Sequence, residues 1–142
     1  MNSLANNSFN PDLCPHPLGQ HVIAEFYHAR NLEEVGAGET ALRSAAEAVG
    51  AHVLDVRGHD FGERAGFTAV ALLAESHISV HTWPEHGYAA IDIFMCGPVD
   101  ITRAVDALKA HFQPGDADVT ILKRGSPDRL TNLLAADAKI VE

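Results

Sequence analysis

The sequence predicts an α+β fold: a two-layer α/β sandwich whose sheet is mainly antiparallel and whose two helices cover one face. Three observations carry this. The order strand, helix, strand occurs twice, over 21–56 and again over 88–123. Between the two copies lie strand-like runs at 67–74 and 77–83, joined by a link too short for a crossover, so they pair antiparallel. Each helical segment is apolar along one stripe only and must rest that stripe on a second layer.

The elements follow in order. Residues 1–20 carry Pro11, Pro15 and Pro17 and no sustained period, and are expected to form a flexible N-terminal segment. A single domain is expected over 21–142. HVIAEFY (21–27) reads as a strand, being apolar and rich in β-branched and aromatic residues. In ETALRSAAEAVG (39–50), Leu42, Ala45, Ala46 and Val49 share one helical face, and Gly50 is a plausible stop. AHVLDVRG (51–58) is the next strand, and HDFGERAG is a connection. FTAVALLA (67–74) is a nearly continuous apolar strand. HISVHTW (77–83) alternates, with His77, Ser79 and His81 opposite Ile78 and Val80. Pro84 to Gly87 turns the chain. In YAAIDIFMC (88–96), Tyr88, Ala90, Asp92, Phe94 and Cys96 share one parity, and Ala89, Ile91, Ile93 and Met95 the other. Ile101, Val105, Leu108 and Phe112 then trace a helix face. ADVTILKRG (117–125) is the last strand, and 129–137 is a candidate short helix. Two helices cover only one face of such a sheet, so the other needs burial, and a homodimer is the natural expectation.

Composition narrows the function. The chain has 142 residues, 46% of them hydrophobic and 20% charged, enough for one sizeable core. Ten basic residues against nineteen acidic ones give a net charge of −9, which argues against a broad nucleic-acid surface. The opening MNSLANNSFN lacks the apolar run of a signal peptide, and no segment approaches membrane-spanning length. Two cysteines, Cys14 and Cys96, make no disulfide framework. The expectation is a cytoplasmic protein with no membrane and no nucleic-acid partner.

The central stretch LAESHISVHTWPEHGYAAIDIFMCG concentrates polar residues among strands. No metal site is expected. On an extended strand His77 and His81 stand about 13 Å apart at roughly 3.3 Å per residue, and no CxxC or HExxH occurs. Ser76 has no GxSxG elbow around it, although a triad rests on geometry rather than order. Singly, each histidine also fits a surface or interface position. Asp92 also fits a paired structural carboxylate, and Cys96 an inert thiol.

The whole string ESHISVHTWPEHGYAAIDIFMCG resembles the signature of bacterial and archaeal S-adenosylmethionine decarboxylases, the pyruvoyl-dependent family. The resemblance extends through GQHVIAEFY, AVGAHVL and DVTILKRG, roughly residues 19–125. It implies a proenzyme that cleaves itself between Glu75 and Ser76. The Ser76 hydroxyl attacks the Glu75 carbonyl carbon, an ester forms, and loss of the α-proton eliminates the Glu75 carboxylate. Hydrolysis then leaves a covalent pyruvoyl cofactor derived from Ser76. Its carbonyl is expected to form a Schiff base with a substrate amine and to take up the electrons released with carbon dioxide. The resemblance assigns proton handling in processing to His81, with help from a hydroxyl that is Thr68 here, and reprotonation of substrate to Cys96. It makes Glu85, Trp83 and Phe67 the substrate-contacting candidates. The partner implied is S-adenosylmethionine, whose decarboxylated form donates aminopropyl groups for spermidine.

Two departures and one conflict accompany this. Tyr27-His28-Ala29 stands where relatives often carry YGC. The connection 57–66 bears on substrate choice, because arginine or ornithine decarboxylases of the same chemistry are the alternative. A ligand- or partner-binding α+β protein that is never cleaved is the alternative of another class. The conflict is geometric. Ser76 and His81 have opposite parity and lie about 16 Å apart on a straight strand. A turn at 74–77, or a His81 supplied across an interface, is required.

Overall fold

The computed structural model describes residues 17–130. Its elements are β1 (Gly19–Tyr27), α1 (Val35–Ala48), β2 (Val53–Asp60), β3 (Phe67–Leu73), β4 (Ser76–Trp83), a 3-10 turn at Pro84–His86, β5 (Tyr88–Cys96), α2 (Thr102–Phe112) and β6 (Asp116–Arg124). The strands form one sheet in the order β2-β3-β4-β5-β1-β6. Every neighbouring pair is antiparallel. The expected α+β sandwich is present.

Alternation decides which face is covered. Val22, Ala24 and Phe26 of β1, Ala69 and Ala71 of β3, Ile78 and Val80 of β4, and Ala89, Ile91 and Ile93 of β5 are buried. They meet Ala41, Leu42, Ala45 and Ala46 of α1 and Ala104, Val105, Leu108 and Phe112 of α2 in one cluster. Alanines on both layers let the helices lie close. Phe26, Phe67 and Phe112 fill the remaining space, each contributing roughly 2 kcal/mol or more through apolar area removed from water.

Thr82 is a polar residue on the apolar parity, and it is fully buried. Its hydroxyl donates to the Leu32 carbonyl at 2.7 Å and accepts the Phe67 N–H at 2.9 Å. Next to it Gly66 has φ +88°, and a Cβ there would stand 2.4 Å from the Thr82 carbonyl oxygen. Only glycine lets the two strands approach so closely here.

Three elements have a boundary two or more residues from the one expected. β1 begins at Gly19, inside the segment expected to be flexible, because Gly19 and Gln20 are paired on both sides, with β5 and with β6. α1 begins at Val35 rather than at Glu39. Its first turn contains Gly36 and Gly38, which read as loop residues in sequence. The Phe67 ring lies over Gly38, so closely that a Cβ there would come within 2.4 Å of it. β2 runs two residues later than expected, with a register shift between Val53 and Asp55. Of the helix expected over 129–137, residues from 131 on lie outside the described residues; Pro127–Arg129 form a 3-10 turn.

The face opposite the helices is open. Ile23, Val70, Leu72 and Leu122 are each 42–52% exposed on it. His77, Ser79, His81, Trp83, Tyr88, Asp92 and Phe94 share that face by strand parity.

Candidate active site

The expected site residues fall into two groups at opposite ends of β4. The first centres on the hairpin between β3 and β4. Leu73 pairs with Ser76, so Ala74 and Glu75 alone make the turn. Two-residue hairpins favour positive φ at one or both central positions. Neither Ala74 nor Glu75 has it; the departure falls one residue later, at Ser76, whose φ is +152°. That region is essentially reserved for glycine and costs a side-chain-bearing residue about 1–3 kcal/mol. The strain sits at the residue whose amide joins Glu75 to Ser76.

The surroundings hold this peptide from both sides. The Cys96 backbone N–H donates to the Glu75 carbonyl oxygen at 3.1 Å. The Glu75 carboxylate accepts the His52 backbone N–H at 2.8 Å and lies 2.8 Å from His52 Nδ1. Burial raises the Glu75 carboxyl, but the bonds from His52 outweigh it and hold the group below its ordinary range.

A polar chain leads away from Ser76 across the open face. Ser76 Oγ lies 3.3 Å from His77 Nδ1, and His77 Nε2 lies 2.7 Å from Asp92 Oδ2. His21 Nε2 bonds the other Asp92 oxygen. Arg124 Nη1 donates to His21 Nδ1 at 3.0 Å. Register explains the convergence: Asp92 pairs with Ser79 on β4 and Ile23 on β1, so His77 and His21 are its diagonal neighbours two residues away. The Phe94 ring stacks on His77 at 6.1 Å and meets His21 edge-on at 5.4 Å. Burial raises the Asp92 carboxyl, but hydrogen bonds from the two histidines outweigh it and keep the group below its usual range.

The second group surrounds His81, which pairs directly with Thr68 across β3 and β4. Thr68 Oγ1 donates to the Val80 carbonyl at 3.2 Å. His81 stacks on Trp83 with centroids 4.0 Å apart and planes 9° from parallel, and on Phe61 at 5.3 Å. The row continues from Trp83 to Tyr88 and from Tyr88 to Tyr27. Burial and the Glu25 carboxylate, which its hydroxyl bonds, push the Tyr88 phenol far above its ordinary range. Glu85 is exposed in the 3-10 turn beyond Trp83.

So Glu75, Ser76 and Cys96 are brought together, and so are Thr68, His81 and Trp83, but the two sets are separate. The turn at 74–75 exists, yet it leaves His81 five residues along β4, about 16 Å away. Phe67 requires a correction. It is fully buried on the helix side, against Gly38, and offers no ring to a ligand. Its parity is that of Ala69 and Ala71. Phe61 instead adds its ring to the open face by stacking on His81, from a connection whose sequence carries no period to reveal it. His52, His21 and Arg124 also escaped sequence reasoning, although His21 shares the open-face parity of Ile23. Among the described residues no three His, Cys, Asp or Glu side chains are grouped to hold a metal ion. No helix among them is long and apolar enough to cross a membrane.

Known proteins share this arrangement of sequence and fold. The sequence profile described as S-adenosylmethionine decarboxylase matches residues 20–125. A protein of Methanococcus aeolicus named S-adenosylmethionine decarboxylase proenzyme is 43% identical over 112 residues, 77% of this chain and 95% of its own. One of the same name from Thermomicrobium roseum is 38% identical over 109 residues, covering 76% and 94%. The crystal structure of the adenosylmethionine decarboxylase from Aquifex aeolicus superposes with a TM-score of 0.74 at 32% identity, over 82% of this chain and 98% of that one. The matched span takes in the strained hairpin, the end of β5 and the stacked rings around His81, and the chain belongs to the S-adenosylmethionine decarboxylase family.

Proposed function

We propose that the chain is a proenzyme that splits between Glu75 and Ser76, and that the product decarboxylates S-adenosylmethionine. The observation that carries this is the Glu75–Ser76 peptide itself. It has a strained serine on one side. It has a carbonyl oxygen held by an N–H on the other. Breaking the Glu75–Ser76 C–N bond after attack by Ser76 Oγ releases the strain, and the Cys96 N–H is placed where negative charge would develop on the oxygen.

The residues present suit a pyruvoyl group formed there. Ser76 supplies its atoms, and Cys96, at the end of the neighbouring strand, is an exposed free thiol. When formed, the group supplies an electrophilic ketone that acts as an electron sink for decarboxylation. Cys96 delivers the proton to the substrate α-carbon, which requires a thiol kept reduced and so favours the cytoplasm. Trp83 and Phe61 offer aromatic faces to an adenine ring or a sulfonium, and Glu85 a carboxylate to ribose hydroxyls or positive charge. Carbon dioxide release, measured separately from S-adenosylmethionine, arginine and ornithine, tests the substrate. Release from S-adenosylmethionine is the expected result; release only from a basic amino acid would discard this choice.

A homodimer completes the site. Each chain carries both halves but cannot join them. An isologous pair that stacks open face on open face sets the head of one β4 against the tail of the other. Ser76 of one chain then meets Thr68 and His81 of its partner, and the exposed Ile23, Val70 and Leu72 are covered. Co-expression of Ser76→Ala and His81→Ala chains tests this. Neither variant alone should split. In mixed dimers an intact Ser76 faces an intact His81, and about half of the His81→Ala chains should split when pairing is random. Denaturing mass spectrometry reads the result. No splitting in the mixture would rule out the shared site.

A further inference from the structure

Resting on that proenzyme reading, we infer that His77 is the base that takes the Ser76 hydroxyl proton in the first step of self-cleavage, in its own chain. The tautomers follow from the contacts. Arg124 donates to His21 Nδ1, so that nitrogen is an acceptor and His21 offers Asp92 its Nε2–H. His77 likewise gives its Nε2–H to Asp92 Oδ2, which leaves Nδ1 free to accept from Ser76 Oγ at 3.3 Å. The length suits a resting contact that shortens as the reaction proceeds. The Phe94 ring lies alongside His77, with centroids 6.1 Å apart and planes 22° from parallel.

Serine, histidine and aspartate therefore stand in the order and with the roles of a hydrolase triad. Here the carbonyl within reach belongs to the chain itself. The Oγ–C bond to Glu75 forms as His77 Nδ1 accepts the hydroxyl proton. Asp92 stabilises the imidazolium, and the Cys96 N–H holds the oxyanion. The Glu75–Ser76 C–N bond then breaks as His77 returns the proton to the Ser76 nitrogen. The product is an ester isomeric with the starting peptide, and nothing else is consumed. His81, supplied by the partner, is left to remove the Ser76 α-proton from that ester. Two histidines thus serve two successive steps, and His77 needs no second chain.

Hydroxylamine distinguishes the steps, because at neutral pH it splits an ester and leaves an amide intact. Freshly made chains are analysed by denaturing mass with and without it. The wild type should split unaided. His81→Ala should stay whole until hydroxylamine divides it at residue 75. His77→Gln keeps a hydrogen-bonding side chain toward Asp92 and disturbs the sheet least. It should stay whole under both conditions, with ester formation slowed at least about a hundredfold. His77→Ala should recover hydroxylamine-labile material when free imidazole is added, which a purely structural role for His77 would not allow. Ester in His77→Gln at the level of His81→Ala, or no response of His77→Ala to imidazole, overturns the assignment. A wild-type chain that never splits would instead remove the proenzyme reading beneath it.

Discussion

Ser76→Ala is expected to leave one unbroken chain and no decarboxylation. Alanine has no hydroxyl to attack the Glu75 carbonyl, and what Cys96 sets against that carbonyl oxygen is its backbone N–H. The effect should be all-or-none, since loss of the nucleophile removes both the scission and the group that scission makes. Strain at position 76 should persist in the variant, as it comes from the turn. The sheet should therefore remain folded, with Leu73 still opposite residue 76. Intact mass under denaturing conditions reads the outcome. The wild type should yield a fragment of residues 1–75 and one of 76–142, the second about 17 Da lighter than its simple hydrolysis product through loss of ammonia. A Ser76→Ala chain divided at that bond would refute the mechanism.

Cys96→Ala is expected to separate the two halves of the chemistry. The oxygen of Glu75 is held by the backbone N–H of residue 96, which alanine retains. Residue 96 also keeps its place opposite Gly19 on β1. Cleavage should then continue, while turnover falls by roughly 10²–10⁴-fold, the usual worth of a positioned proton donor. Residual turnover should give misprotonated product, because water would replace the thiol. Fragment masses paired with carbon dioxide release from S-adenosylmethionine read both at once. Turnover at the wild-type level would show that the proton comes from elsewhere. Failure to cleave would show that the thiol itself takes part in processing.

The residues expected to act on the Glu75–Ser76 bond lie in two clusters that one chain holds apart. The hairpin carries the Glu75–Ser76 bond, with the Cys96 N–H and His77 beside it; the far ends of β3 and β4 carry Thr68, His81 and the stacked rings. Sheet geometry makes this unavoidable. A strand rises about 3.3 Å per residue, and residues five apart cannot share a substrate atom unless the strand folds back or a second copy supplies one of them. β4 is continuous from Ser76 to Trp83.

Strand positions and faces were legible from residue order, because a period of two is a local property. Ile78 and Val80 against His77 and Ser79, or Ile91 and Ile93 against Asp92 and Phe94, reveal their faces wherever the sheet lies. The ESH string and Cys96 were legible as a family signature. Three things were not. The start of α1 was hidden because Gly36 and Gly38 look like loop until a Phe67 ring from another element demands the space. The face of Phe67 was hidden for a related reason: in the nearly continuous apolar run FTAVALLA no alternation marks a face until the strand is paired. The relay from Ser76 through His77 and Asp92 to His21 joins residues up to 71 positions apart. Its existence depends on register between strands, a non-local quantity that no window of sequence contains.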